Sequence, residues 1–136
     1  MIPQPLSDLS DSDLLALCIY REARGEQILG KRGVAWTVMN RLARHSWFGT
    51  TVREVILHPW QFSSFNESDP NSDVWPRDTD PVWVDCVDEA ETAIAGESED
   101  PTHGAIYYFS PPLTAPPHAW GAVEVLIKIG ALTFCK

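Results

Sequence analysis

The stretch "LLALCIYREARGE" (residues 14–26) runs from apolar side chains into a cluster of charge, and it decides the fold that the sequence predicts. At about 100° of rotation per residue, a helix gathers its apolar side chains into an arc of about 140°. These side chains are Leu14, Leu15, Cys18 and Ile19. Glu22 falls near the middle of that arc, whereas Arg21 and Arg24 fall toward the expected solvent side. The pattern therefore predicts a helix with one carboxylate on its core-facing side.

Glu22 is the candidate catalytic residue, in the role of a general acid. Burial removes water from an ionised carboxylate and favours the protonated form, which is the form that a general acid needs. An acid beside aromatic side chains suits cleavage of a glycosidic bond, because the leaving oxygen must be protonated and sugar rings pack on aromatic faces. The alternative interpretation is a structural carboxylate at a helix end, bonded to backbone amides or to an arginine.

The spacing does not identify a second catalytic carboxylate. Ordinary glycosidases use two acids, and the distance between them sets the stereochemical course. Glu26 could be the second acid, but Gly25 makes the direction of its side chain unpredictable. The residues alone leave this question open.

Helix signals along the chain predict a mainly α (α+β) fold in one domain, residues 1–136. Ser10 or Ser12 can cap a first helix that ends near Arg24, and "TVRE" (51–54) is a capping box for a short helix. Two more helices are predicted over about 31–44 and from Asp80 to Gly96. Their apolar faces are Val34, Ala35, Val38, Met39 and Leu42 in the first, and Val84, Val87, Ala90 and Ile94 in the second.

The segments outside these helices contain a long aromatic loop and a small extended part. Residues 58–78 are rich in Pro, Ser, Asn and Asp, yet they include Trp60, Phe62, Phe65 and Trp75. A loop of this length and composition is usually functional, so we expect a wall or lid. "GAIYYFSPP" (104–112) is typical of extended structure, and the alternating tail (122–135) predicts strands, with a buried helix as the alternative.

Charge and composition exclude several classes of protein. A net charge of -9 argues against nucleic acid as a partner, and twelve of the 19 acids lie in residues 66–100, mostly as expected solvated surface. No apolar run approaches the roughly 18 residues of a membrane span. The three cysteines and four scattered histidines show no metal-ligand spacing, so we expect core thiols, no metal and no cofactor.

The start, "MIPQPLSDLSD", has neither the basic region nor the apolar region of a secretory signal. Either the chain stays inside the cell or another route lets it out.

Four blocks of the sequence resemble the bacterial cell wall hydrolase family that includes the spore cortex-lytic enzymes. They are "YREARGEQILGKRGVAWTVMNR" (20–41), "QFS" (61–63), "GAIYYF" (104–109) and "KIGALTFC" (128–135). The resemblance implies a lysozyme-like fold and cleavage of peptidoglycan between N-acetylmuramic acid and N-acetylglucosamine. It also implies a lytic transglycosylase mechanism, in which Glu22 is the sole essential acid and the product carries a 1,6-anhydro end.

The resemblance suggests further roles, position by position. Glu26 would orient the site or hold substrate, and Gln61, Phe62 and Ser63 would form a cleft wall that binds an acetamido group. We expect one ring of Tyr107 and Tyr108 in the core and the other toward the cleft, with Tyr108 as a weaker candidate for binding substrate. Asn40 and Arg41 are expected to tie down a neighbouring loop.

Three other functions compete with this one. A hydrolysing muramidase would use Glu26 or an acid of residues 66–80 to activate water. A glycan-binding module without catalysis would use Trp60, Phe62 and Tyr108 as stacking surfaces. A zinc amidase is disfavoured, because His45, His58, His103 and His118 form no ligand pair. We expect a monomer that acts on peptidoglycan strands at the bacterial cell wall. The route to the wall is open: release through a membrane pore, in the manner of a phage lysin, would fit, as would a shortened chain.

Overall fold

Four α-helices and three short strands are found in the part of the chain that the structure, a computed structural model, describes: residues 1–44, 47–59 and 61–136. The helices are α1 (Asp11–Ala23), α2 (Ile28–Ala43), α3 (Val52–Leu57) and α4 (Pro81–Ile94); the strands are β1 (Tyr107–Phe109), β2 (Val125–Ile129) and β3 (Leu132–Cys135). The predicted mainly helical fold with a small β part near the C-terminus is confirmed. The predictions for His45 and Trp60 lie outside the described residues.

Side-chain caps start three of the helices where the sequence predicted them. The Ser10 hydroxyl accepts from the Asp13 N–H (3.1 Å), and the Thr51 hydroxyl accepts from the Glu54 N–H (3.1 Å). The Asp80 carboxylate accepts from the Val82 N–H (2.9 Å), with Pro81 at the first helical position. These bonds satisfy amides that have no partner inside the helix. The exception is α2, which begins at Ile28, three residues before the predicted start.

Helix α1 is buried on every side over residues 14–19, and the prediction that Arg21 faces solvent is wrong. Arg21 is 4% exposed; its Nε donates to the Val74 carbonyl (3.0 Å), and its guanidinium lies 4.9 Å from the Phe65 ring and 5.2 Å from the Trp75 ring. The helical projection assumed a single core-facing stripe, whereas other elements pack around the whole of this helix. Arg24 is exposed, as predicted.

The buried face of α4 also differs from the predicted one. Val84 and Ile94 are 55% and 38% exposed, whereas Ala90 is buried as predicted; Trp83, Cys86, Glu89 and Ala93 also enter the core. Glu89 can occupy a core position because both of its carboxylate oxygens bind Arg32 of α2, at 2.9 and 3.0 Å. This ion pair joins α4 to α2, and apolar periodicity alone could not reveal it.

The three strands form an antiparallel sheet in the order β1-β3-β2, which confirms strands in the tail. Gly130 makes the turn between β2 and β3 with a φ of 59°, a conformation that favours glycine. Phe134 of β3 is fully buried against α2 at Gly33, where an added Cβ would lie 2.5 Å from the ring. The sheet is thereby held against the helices, with Tyr107 and Tyr108 at its β1 edge.

The three cysteines, Cys18, Cys86 and Cys135, are buried free thiols, as predicted. Burial raises the pKa of Cys86 to about 12 and also raises the pKa of the other two. They behave as small apolar side chains.

None of the helices in residues 1–44, 47–59 and 61–136 combines the length and the apolar character that crossing a membrane would require.

Candidate active site

A cleft of about 620 Å³ opens where the end of α1 meets the edge of the sheet. Its described walls come from separate parts of the chain: Glu22, Arg41, Trp47, Gln61, Ser63, residues 107–113, Ala119 and Trp120. The volume is typical of a site for a small molecule or for a few sugar rings. The cleft is therefore the candidate active site.

Glu22 is half-buried in the last turn of α1 and faces this cleft. Its Oε1 accepts a hydrogen bond from the Tyr108 hydroxyl at 2.5 Å. Burial first, and the negative charge of Glu22 second, raise the pKa of Tyr108 well above its ordinary value. The hydroxyl therefore keeps its proton and serves as a donor, so Tyr108 fixes one carboxylate oxygen and the other can face substrate.

Arg41 places a nearly buried cation at the floor of the cleft. The residue is 4% exposed; its Nε donates to the Ile106 carbonyl (2.7 Å), and its guanidinium lies 4.8 Å from the rings of both Phe48 and Phe62. Burial is the main cause that lowers the pKa of Arg41, while nearby Tyr108 and Glu22 oppose that shift. Glu22 and Arg41 are the only charged side chains among the described residues that line the cleft.

Asn40 ties down the loop before β1, as expected. Its Nδ2 donates to the Asp100 carboxylate and to the Ala105 carbonyl, both at 2.9 Å. Asp100 also accepts from the Thr102 hydroxyl (2.6 Å). The polar pair of Asn40 and Arg41 thus anchors residues 100–106, and Arg41 reaches the cleft as well.

Two of the three residues of the predicted "QFS" wall line the cleft, and the third lies beneath it. Gln61 and Ser63 line the cleft, whereas Phe62 is 2% exposed and lies beneath it, 6.4 Å from the Tyr108 ring. Phe62 therefore packs under Tyr108 and Arg41 rather than facing the open space.

Glu26 lies apart from the cleft, at the turn between β2 and β3. Its Oε1 accepts from the Ala131 N–H at 3.0 Å, and a Cβ at Gly130 would clash with the same oxygen. Glu26 therefore holds the β2–β3 turn and does not line the cleft.

Both rings of Tyr107 and Tyr108 reach the cleft, although one was expected in the core. Tyr107 stacks on Trp120 with ring centroids 4.6 Å apart and planes inclined by 16°. Tyr108 also packs on Phe134 at 5.8 Å, so this ring joins the core and the cleft. The two rings do not divide between core and cleft as expected, because the cleft opens at the edge of the sheet. At this edge, side chains on both faces of β1 can line the cleft.

Two tryptophans of the cleft were not predicted from the sequence. Trp47 is 58% exposed, and Trp120 lies in the 3-10 helix His118–Trp120. The available signal was a large aromatic side chain within a polar or proline-rich loop, the same signal that identified residues 58–78.

The acidic residues of 66–80 do not line this cleft. Glu67 and Asp73 instead line a separate cavity of about 240 Å³ with Arg21, Phe65 and Trp75. Among the described lining residues of the cleft, Glu22 is thus the single carboxylate.

Comparisons with known proteins identify the family. The model of the Cell Wall Hydrolase family matches residues 25–135. The chain belongs to this family. The spore cortex-lytic enzyme of Oceanobacillus iheyensis is 31% identical over 99% of the chain, and that of Bacillus cereus is 33% identical over 93%. In both cases the chain spans 44% of the relative's length.

Two solved structures are similar to this cell wall hydrolase over most of the chain. The catalytic domain of the Bacillus cereus SleB protein has a TM-score of 0.70 and 33% identity, covering 93% of this chain and 89% of that one. The catalytic domain of the germination-specific lytic transglycosylase SleB of Bacillus anthracis has a TM-score of 0.72 and 31% identity, covering 99% and 100%. The predicted lysozyme-like fold class is confirmed by this likeness.

Proposed function

We propose that this cell wall hydrolase is a lytic transglycosylase that cuts peptidoglycan between N-acetylmuramic acid and N-acetylglucosamine. The observation that carries the proposal is the single carboxylate of the cleft, Glu22, held by Tyr108. A hydrolysing muramidase would need a second carboxylate beside the scissile bond. The acids suggested for that role lie elsewhere, because Glu26 binds the β2–β3 turn and Glu67 and Asp73 line another cavity.

In the proposed reaction Glu22 is both the acid and the base. It gives its proton to the glycosidic oxygen as the bond from that oxygen to C1 of muramic acid breaks. The C6 hydroxyl of the same sugar then attacks C1, and its proton passes to the Glu22 carboxylate. One bond breaks and one forms, Glu22 recovers its proton, and no water is consumed. The product carries a 1,6-anhydro end.

The aromatic and polar walls of the cleft support a glycan substrate. We propose that Trp47 and the stacked pair of Tyr107 and Trp120 pack on the apolar faces of sugar rings. Gln61 and Ser63 offer hydrogen bonds to acetamido groups. Phe62 supports these residues from below and Glu26 orients the hairpin.

Two further proposals concern the chain as a whole, and the likeness to isolated catalytic domains supports the first of them. We propose that residues 1–136 act as one catalytic domain, and that this domain works as a monomer at the bacterial cell wall. Sedimentation equilibrium should give the mass of a single chain.

A set of Glu→Gln variants tests the assignment of Glu22. Glu22→Gln removes the proton donor at almost constant shape, so the rate of peptidoglycan cleavage should fall about 10²- to 10⁴-fold. Glu91→Gln, an exposed position on α4, is the matched control and should keep the rate of the parent protein. Glu26→Gln tests whether Glu26 is the second carboxylate that a hydrolysing muramidase would need. A loss as large as that of Glu22→Gln would favour a second catalytic acid and contradict the proposal.

A further inference from the structure

A second groove continues the cleft along the outer face of the sheet. It has a volume of about 630 Å³, and residues 109–113 line both cavities. We call it the side groove; besides the shared residues it is lined by 114–116, Val125, Lys128, Ala131 and Thr133. A ligand in the cleft can therefore extend into the side groove along the shared wall.

The register of the sheet sets the distance from the shared wall, at Phe109, to Lys128. Phe109 pairs with Thr133, and Thr133 pairs with Lys128, so these three residues form a row across β1, β3 and β2. Since neighbouring strands lie about 4.8 Å apart, the row is about 10 Å long. An extended peptide covers that distance with about three residues, at roughly 3.3–3.6 Å each.

The charge of the side groove is opposite to that of the protein as a whole. Lys128 is the only charged side chain among the described residues that line it, in a chain of net charge -9. Glu26 reaches the β2–β3 turn at one end, but its Oε1 is held by the Ala131 N–H and it does not line the groove. The rest of the lining is mostly proline, alanine, valine and leucine, a surface that suits small apolar side chains.

We propose that the side groove binds the peptide stem of peptidoglycan, with Lys128 pairing with a stem carboxylate. This proposal rests on the proposed function, because the stem is attached to the lactyl group of the muramic acid whose glycosidic bond is cut in the cleft. A stem of three residues reaches from the wall of the cleft to Lys128, and its small side chains pack on the prolines. Lys128 is thus a specificity-determining residue that favours strands carrying stems over bare glycan.

The test compares two forms of one substrate: purified peptidoglycan strands with their stems, and the same strands after an amidase has removed the stems. Lys128→Glu should lower kcat/KM about tenfold on strands with stems, mainly through KM, and Lys128→Gln about threefold. On bare strands both variants should match the parent protein. Lys136→Glu, an exposed position outside both cavities, makes the same change in net charge and should leave both substrates unaffected.

The outcomes separate this proposal from the proposed function. An equal loss for Lys128→Glu on both substrates would mean that the side groove binds the glycan itself, and this would overturn the stem assignment. No loss on either substrate would overturn it as well. A parent protein that cleaves neither substrate would instead contradict the proposed function.

Discussion

The orientation of the Glu22 carboxylate depends on a hydrogen bond from Tyr108, which lies 86 residues further along the chain. The helical periodicity of residues 14–26 identified Glu22, and the aromatic stretch 104–109 identified Tyr108, but nothing in either pattern indicated that the two side chains touch. The contact arises because β1 passes the end of α1, which is a tertiary feature. It gives Glu22 a fixed orientation, since one of its oxygens is held by a donor.

Tyr108→Phe removes this donor and leaves the ring in place. A hydrogen bond to a charged group contributes about 1.5–3 kcal/mol, and Glu22 becomes charged as it gives up its proton, so kcat should fall roughly tenfold or more while KM changes little. Tyr20→Phe is a matched control: it removes a hydroxyl that donates to Asp80 at 2.7 Å, outside the cleft, and should leave kcat within about twofold. Steady-state kinetics on one substrate compares them. Equal kcat for Tyr108→Phe and the parent protein would mean that the contact has no catalytic role.

Among the helices, local sequence signals predicted three of the starting residues, but they did not predict every buried position. Ser10, Thr51 and Asp80 cap helices where predicted, because a cap depends on residues only two or three positions apart. Part of the buried face of α4 and the burial of Arg21 were mispredicted for the opposite reason. Their partners, Arg32 for Glu89 and the aromatic pair for Arg21, come from distant segments.

The contact between α2 and β3 fixes the position of the sheet, and the edge of this sheet lines the cleft. Gly33→Ala would place a Cβ 2.5 Å from the buried Phe134 ring, and overpacking of this kind costs about 1–3 kcal/mol. This exceeds the gain of up to about 1 kcal/mol from a better helix residue. We expect a lower free energy of unfolding in urea, together with a lower kcat, because Phe134 packs on Tyr108.

Gly25→Ala is the control for this variant. No atom beyond the adjacent residues lies within 4 Å of the added Cβ, and Gly25 does not have a positive φ. Its free energy of unfolding should stay the same or rise by up to about 1 kcal/mol. Equal stabilities for Gly33→Ala and Gly25→Ala would contradict the packing described between α2 and β3.

At the scale of the whole molecule, the acidic surface and the cleft are separate features. Residues 66–100 carry twelve acids, yet none of them lines the cleft or the side groove. The sequence alone predicted the acid, the long aromatic loop and the class of fold. It did not predict Trp47, Trp120 or the continuity of the two cavities, because these depend on how separate loops lie beside the sheet.

In the proposed reaction one carboxylate cuts the glycan strand without consuming water. Digestion of purified peptidoglycan in H₂¹⁸O, followed by mass spectrometry of the new ends, tests it most directly. We predict 1,6-anhydro muramic acid ends that contain no ¹⁸O. Reducing ends that carry one ¹⁸O atom per cleavage would contradict the claim and show that water, rather than the C6 hydroxyl, attacks C1.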